Sequence, residues 1–190
     1  MCHTGADWLE RESREQEENP TLMRASLGIA PGLVVADIGC GVGYHSVPLA
    51  ELVGPTGRVI GTEMQPEYRE RFLARVAAAG LSNVEFVVTS GDAADTGLPA
   101  GGVDLVLMVD VYHEVAQPQE FLRALRPALR AGGRLALVEF RAEDPSVPIL
   151  PDHKMSVAQV DYELERAGYR RTGRFDGLPW QHLLFYEPVE

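Results

Sequence analysis

The chain has 190 residues, 45% hydrophobic and 24% charged, which suits one globular domain with a sizeable core. Its net charge of −11 disfavours nucleic-acid partners, because that affinity rests on neutralising phosphates with Lys and Arg. Neither an apolar segment behind a positive start nor a long apolar run is present, so neither export nor a membrane span is expected, and Cys2 and Cys40 are too few for a disulfide framework and fit a reducing cytoplasm.

Residues 6–18 are mostly polar, with Arg11, Arg14, Glu15, Glu17 and Glu18 behind Trp8 and Leu9, and read as a solvated helix pinned by its aromatic. Asn19–Pro20 then looks like a helix cap with proline in the first turn, Gly28 as the stop, and Leu22, Met23 and Leu27 facing the core. The next stretch organises the rest. Val34 to Ser46 reads VVADIGCGVGYHS: an apolar strand interrupted only by Asp37, glycines at 39, 41 and 43, then a helix over 44–52. Glycines at a strand–helix turn let a ligand approach the backbone and the free N–H groups of the helix. Asp37 makes the end of the strand unwelcoming to a pyrophosphate and favourable to a cation. His45 follows the turn and is expected to face helix or solvent.

A second strand runs from Arg58 to Thr62, and Glu63 follows Gly43 by 20 residues, where an acid can accept both hydroxyls of a ribose. Pro66 opens a helix that Gly80 closes, with Tyr68, Phe72 and Val76 on one face. VEFVVT at 84–89 is a third strand, followed by Gly91–Asp92–Ala93, a stretch that by itself reads as a turn. Val103 to Val109 is a buried parallel strand, so Asp110 and His113 fall just beyond its carboxyl end, where open α/β sheets bind ligands. A helix is expected over Gln117–Arg130, ended by Gly132–Gly133, and a fifth strand over Arg134–Phe140. Arg141–Lys154, with three prolines, reads as a loop long enough to be functional. Ser156 caps a helix ending at Gly168, and strands at 169–175 and 182–186 with only a short connection between them are antiparallel.

Acid, glycine turn and second acid resemble the S-adenosylmethionine (SAM) site of class I methyltransferases, and LVLMVDVYHEV, LRAGGRLALVEF and the HKMS run from His153 extend that resemblance over nearly the whole chain. The resemblance implies a Rossmann-like, doubly wound, mostly parallel seven-stranded sheet with a C-terminal antiparallel hairpin, built as one domain. Its parts are a helical lid at 1–30, a SAM-binding core at 31–140, an acceptor-side loop at 141–155, and a helix with hairpin at 156–190. It further implies SAM as cofactor and S-adenosylhomocysteine as product. The expected cofactor residues are Asp37, Gly39, Cys40, Gly41, Gly43, Tyr44, Glu63, Met64, Gly91, Asp92, Ala93, Val109 and Asp110. In that setting Met64 packs on the adenine ring, or else is core, and Asp92 accepts from the adenine amino group.

The expected reaction moves a methyl group to a small-molecule acceptor by in-line displacement. His113 and His153 are the candidate catalytic residues, lining the acceptor pocket as base or as orienting donors. The five histidines show no ligand spacing and strand five ends Glu139–Phe140–Arg141, so no metal is expected. Two alternatives stand beside this reading. One is an NAD(P)-binding oxidoreductase, opposed by Asp37 and the terminal hairpin; the other is a SAM-binding protein without an acceptor site.

Overall fold

A computed structural model describes residues 10–189; Cys2, Trp8 and Leu9, used in the reading above, lie outside the described residues. Two short helices, α1 (Arg14–Glu17) and α2 (Pro20–Ser26), precede the sheet. Asn19 caps α2 as expected, its side chain accepting from the Leu22 N–H at 3.0 Å. Then follow β1 (Val34–Ile38), α3 (Ser46–Val53), β2 (Arg58–Glu63), α4 (Arg69–Ala78), β3 (Val84–Val88) and β4 (Val103–Val109). The second half holds α5 (Pro118–Leu125), β5 (Leu129–Arg141), β6 (Lys154–Met155), α6 (Val157–Arg166), β7 (Tyr169–Phe175) and β8 (Gln181–Pro188).

The strand order is β3-β2-β1-β4-β5-β8-β7, parallel from β3 through β5, with β8 antiparallel to both β5 and β7. This is the expected doubly wound sheet with its terminal hairpin. An eighth, two-residue strand adds to it: β6 pairs in parallel with Phe140 and Arg141 of β5. β4 last pairs with β5 at Val109 and Val138, so β6 takes up the edge of β5 that β4 leaves when its chain turns away.

Strand side chains alternate between the two faces. Ala36, Ile38, Val106 and Met108 pack with Phe121, Leu122 and Leu125 of α5 and Val160 and Leu164 of α6. Val35, Leu105 and Leu107 pack on the other face with Met23, Leu27, Leu49 and Val53 from the α2 and α3 regions. A sheet covered on both faces in this way explains why its central strands read as nearly continuous apolar runs.

Two boundaries differ from expectation. The helix expected to reach Arg130 ends at Leu125, because Pro127 lacks the N–H an α-helix needs there and the chain passes through a 3-10 turn at Arg126–Ala128. Gly132 and Gly133 consequently lie inside β5, which starts five residues earlier than expected, with a register shift opposite Val103–Leu105. The segment from Arg141 is less irregular than a plain loop. Lys154 Nζ donates to the carbonyls of Asp144 and Val147, and a 3-10 turn at Pro151–His153 leads into β6.

Candidate functional site

β1 and β4 are neighbours, yet the chain leaves them toward opposite edges of the sheet, and a crevice opens at their carboxyl ends. A cavity of about 620 Å³ lies there. It is lined by Gly39, Cys40, Gly41, Tyr44, Glu63, Met64, Gly91, Asp92, Ala93, Val109 and Asp110. Met64 is 64% exposed, which removes the core reading for it. Asp37 and Gly43 do not form its wall.

The glycine turn is tied to β2. The N–H groups of Gly39 and Cys40 donate to the Thr62 carbonyl at 2.8 and 3.1 Å, and that of Gly41 donates to Glu63 Oε2 at 3.0 Å. Glu63 Oε1 accepts from the Gln65 N–H at 3.0 Å, so the carboxylate is held by backbone from two sides. Gly39 has φ +68°, and a Cβ there would stand 2.6 Å from the Val111 side chain. The turn therefore runs directly beneath the segment that follows β4, and only glycine fits.

Asp37 sits one layer behind the turn. It is buried, and the Ser46 hydroxyl at the start of α3 donates to its Oδ2 at 2.5 Å. Burial raises its pKa to about 6, with Glu63 adding to the rise and the Ser46 hydrogen bond and Arg14 opposing it. Burial, with Asp37 and Glu63 nearby, also pushes the Cys40 thiol far up, so Cys40 is an inert wall residue. Asp92 forms a turn of its own, accepting from the Ala94 N–H at 2.9 Å, while also bordering the cavity.

Asp110 adopts φ +53°, a left-handed conformation in which its N–H still donates to the Val138 carbonyl at 2.9 Å. Gln181 Nε2 donates to both of its carboxylate oxygens at 2.8 Å. Burial, together with Glu18 and Glu139, holds the Asp110 carboxyl well above the usual range.

The N-terminal segment contributes Arg14 to the cavity wall. Arg14 and Glu18 are both buried, not solvated, with Arg14 Nε donating to Glu18 Oε2 at 2.6 Å and Arg11 Nη2 to Glu18 Oε1 at 2.5 Å. The Arg14 guanidinium lies 4.3 Å from the Tyr44 ring centroid and its Nη2 is 3.3 Å from His45 Nε2. His45, expected to face helix or solvent, is buried at the cavity wall, and burial beside Arg14 keeps it neutral. The strand–helix turn folds inward at His45, since α3 starts only at Ser46.

His113 and His153 come together, but not in the large cavity. His113 Nε2 and His153 Nδ1 are 3.0 Å apart, and His113 Nδ1 is 2.8 Å from Oε2 of the fully buried Glu139. Burial works against the His113 charge, whereas its hydrogen bond and charge contact with Glu139 raise its pKa above the ordinary value overall. The two rings expected to line one acceptor pocket are therefore neighbours, outside the lining of the large cavity. The 3-10 turn Tyr112–Glu114 sends His113 toward β5 and a second cavity of about 330 Å³, and sends Glu114 to the large one. Gln181 and Glu139 were missed. Gln181 reads as part of a connector, whereas Glu139 carries a usable signal, a single charge inside the apolar run LALVEF.

Residues 29–168 match the family model described as a methyltransferase domain. Over its full length the chain is similar to a SAM-dependent methyltransferase from Aquifex aeolicus, at 25% identity and TM-score 0.91, with all of both chains covered. It is 36% identical over 106 residues to the nocamycin O-methyltransferase of Saccharothrix syringae, covering 54% of this chain and 37% of that one. It is 35% identical over 117 residues to a protein-L-isoaspartate O-methyltransferase of Ignicoccus hospitalis, covering 61% and 50%. The chain thus spans half or less of the length of those two relatives. With the glycine turn, the two acids and the reversed strand order in place, the chain belongs to the class I SAM-dependent methyltransferase family, whose cofactor is SAM.

Proposed function

We propose that this chain transfers the methyl group of SAM to a small-molecule acceptor. The observation that carries the reading is the cavity at the β1–β4 switch point. Its volume of about 620 Å³ suits ligands of cofactor size plus a small partner, and Arg14, Tyr44 and His45 form part of its wall. The net charge of −11 disfavours RNA.

SAM supplies a methyl group already activated by its sulfonium for in-line displacement. The residues of this chain bind and align. In this reading Glu63, pinned by two backbone N–H groups, accepts the ribose hydroxyls, and Met64 with Gly91–Ala93, at the cavity wall, borders the base. Asp37, with its pKa at about 6, still adds negative field at neutral pH where a cationic ligand is welcome and a pyrophosphate is not, which disfavours the NAD(P) reading. Alignment with exclusion of water is worth roughly 7–11 kcal/mol at best, so a dedicated base is not required for every acceptor.

Among the described residues no helix is long and apolar enough to cross a membrane, and the low cysteine content supports a cytoplasmic setting. The test is calorimetry with SAM, S-adenosylhomocysteine and NAD, followed by transfer from methyl-labelled SAM to a metabolite extract and, separately, to protein and RNA fractions. Binding of the two adenosyl ligands with label in the metabolite fraction is the expected outcome. Label confined to protein or RNA overturns the small-molecule acceptor, and tighter NAD binding overturns the cofactor.

A further inference from the structure

Three ligand-type side chains that the sequence scatters meet beside the large cavity. One ligand atom from each of His113, Glu114 and His153 lies within 4.8 Å of the others. His113 Nε2 is 3.0 Å from His153 Nδ1 and 3.9 Å from Glu114 Oε1. Bonds of about 2.1 Å at tetrahedral angles place ligand atoms roughly 3.4 Å apart, between those two separations. The third separation is bounded by 4.8 Å, so a cation can enter once the Glu114 carboxylate draws in on the two rings.

The second observation is Glu139. Its carboxylate is wholly buried on β5, where Ala136, Leu137, Val138 and Phe140 are apolar. It accepts from the His113 N–H through Oε1 at 3.3 Å and meets His113 Nδ1 through Oε2 at 2.8 Å. A buried carboxylate is costly to keep, and packing alone does not need one. With His113 Nδ1–H donating to Glu139, the Nε2 lone pair of His113 points at His153 and Glu114. Carboxylate, imidazole and outward lone pair form the arrangement that orients a metal-ligating histidine and raises its basicity.

We propose that His113, Glu114 and His153 bind a divalent transition cation of the zinc class, with Glu139 as the positioning residue behind His113. Two imidazoles and one carboxylate suit zinc or cobalt and not magnesium or calcium, which take oxygen ligands. In the metal-free chain His153 Nδ1–H donates to His113 Nε2. Metal binding moves that proton to His153 Nε2, freeing Nδ1 as a ligand. Three protein ligands leave a fourth position for water or a ligand atom, and Glu114 carries the site to the wall of the large cavity. The site stands apart from the methyl-transfer reading and does not depend on it.

The test uses the full chain, dialysed against chelator and titrated with Zn²⁺ against a chromophoric competitor, and with Co²⁺ by visible absorption. The expected result is one equivalent of Zn²⁺ and the intense visible bands of tetrahedral Co²⁺. His153→Gln, a half-buried position before β6, weakens binding at least tenfold, and His113→Ala does the same wherever its thermal melt shows it folded. Glu139→Gln weakens it about 10–100-fold, the range for removing a partner behind a metal-bound histidine. The double variant Cys2→Ser/His3→Gln retains the full stoichiometry. Absence of a stoichiometric site, unchanged affinity in His153→Gln, or loss of the site in the Cys2/His3 variant overturns the proposal.

Discussion

Gln181 holds Asp110 with one amide nitrogen shared between both carboxylate oxygens, 2.8 Å to each. The first residue of β8 thereby reaches the switch point and fixes a left-handed residue at the cavity wall. The terminal hairpin is thus part of the site as well as the edge of the sheet.

Gln181→Leu leaves the half-buried Asp110 carboxyl without that donor, a loss worth about 1–3 kcal/mol. Urea unfolding of the ligand-free chain and SAM calorimetry are both expected to register it. Stability and affinity equal to wild type would mean that Asp110 finds another partner.

Asp37 links stability to pH. Its pKa rises from an ordinary 3.8 to about 6 on folding, so the folded state holds its proton more tightly than the unfolded state does. The resulting stabilisation is full below about pH 4 and is lost as pH rises through about 6, leaving the ionised, buried group costing roughly 3 kcal/mol at neutral pH. Asp37→Asn is expected to stabilise the ligand-free protein at pH 7 by about 1–3 kcal/mol and to remove the slope between pH 4 and 6. The same change weakens SAM binding, because the negative field behind the turn is gone. Denaturant titrations across that pH range, paired with calorimetry, check both signs.

Gly41→Asp is expected to abolish SAM binding. Gly41 has φ +51° and its N–H is committed to Glu63, so a charged side chain both strains the turn and enters the cavity. Glu63→Ala weakens binding by roughly 1.5–3 kcal/mol for each charge-assisted hydrogen bond lost. Unchanged affinity in both variants would sink the assignment of this cavity to the cofactor.

Amide exchange in the Arg14–Glu18 segment, proposed as a roof, is expected to slow when S-adenosylhomocysteine binds. Arg14→Ala removes the contacts to Tyr44, His45 and Glu18 together and is expected to weaken cofactor binding about tenfold, ~1.4 kcal/mol. Equal protection with and without saturating ligand would make the segment a fixed wall.

What the sequence determined by itself was local. Apolar runs bounded by glycine placed β1 to β4, the Asn19 and Ser156 caps placed their helices, and Asp37, the glycine turn and Glu63 pointed to the ligand, because each signal lies within a few residues of its structural consequence. Proline chemistry at Pro127 was local too, but strong helical spacing before it masked the stop. The tertiary structure decided what depends on pairing across the sheet. His45 turned inward because Arg14, 31 residues away, lies over it. Gln181 met Asp110 across 71 residues because β8 pairs antiparallel with β5. His113 met His153 because β6 fills the edge of β5 that β4 vacates. Backbone hydrogen bonding sets these registers, and a side chain's long-range neighbour is fixed only when the strands are in place.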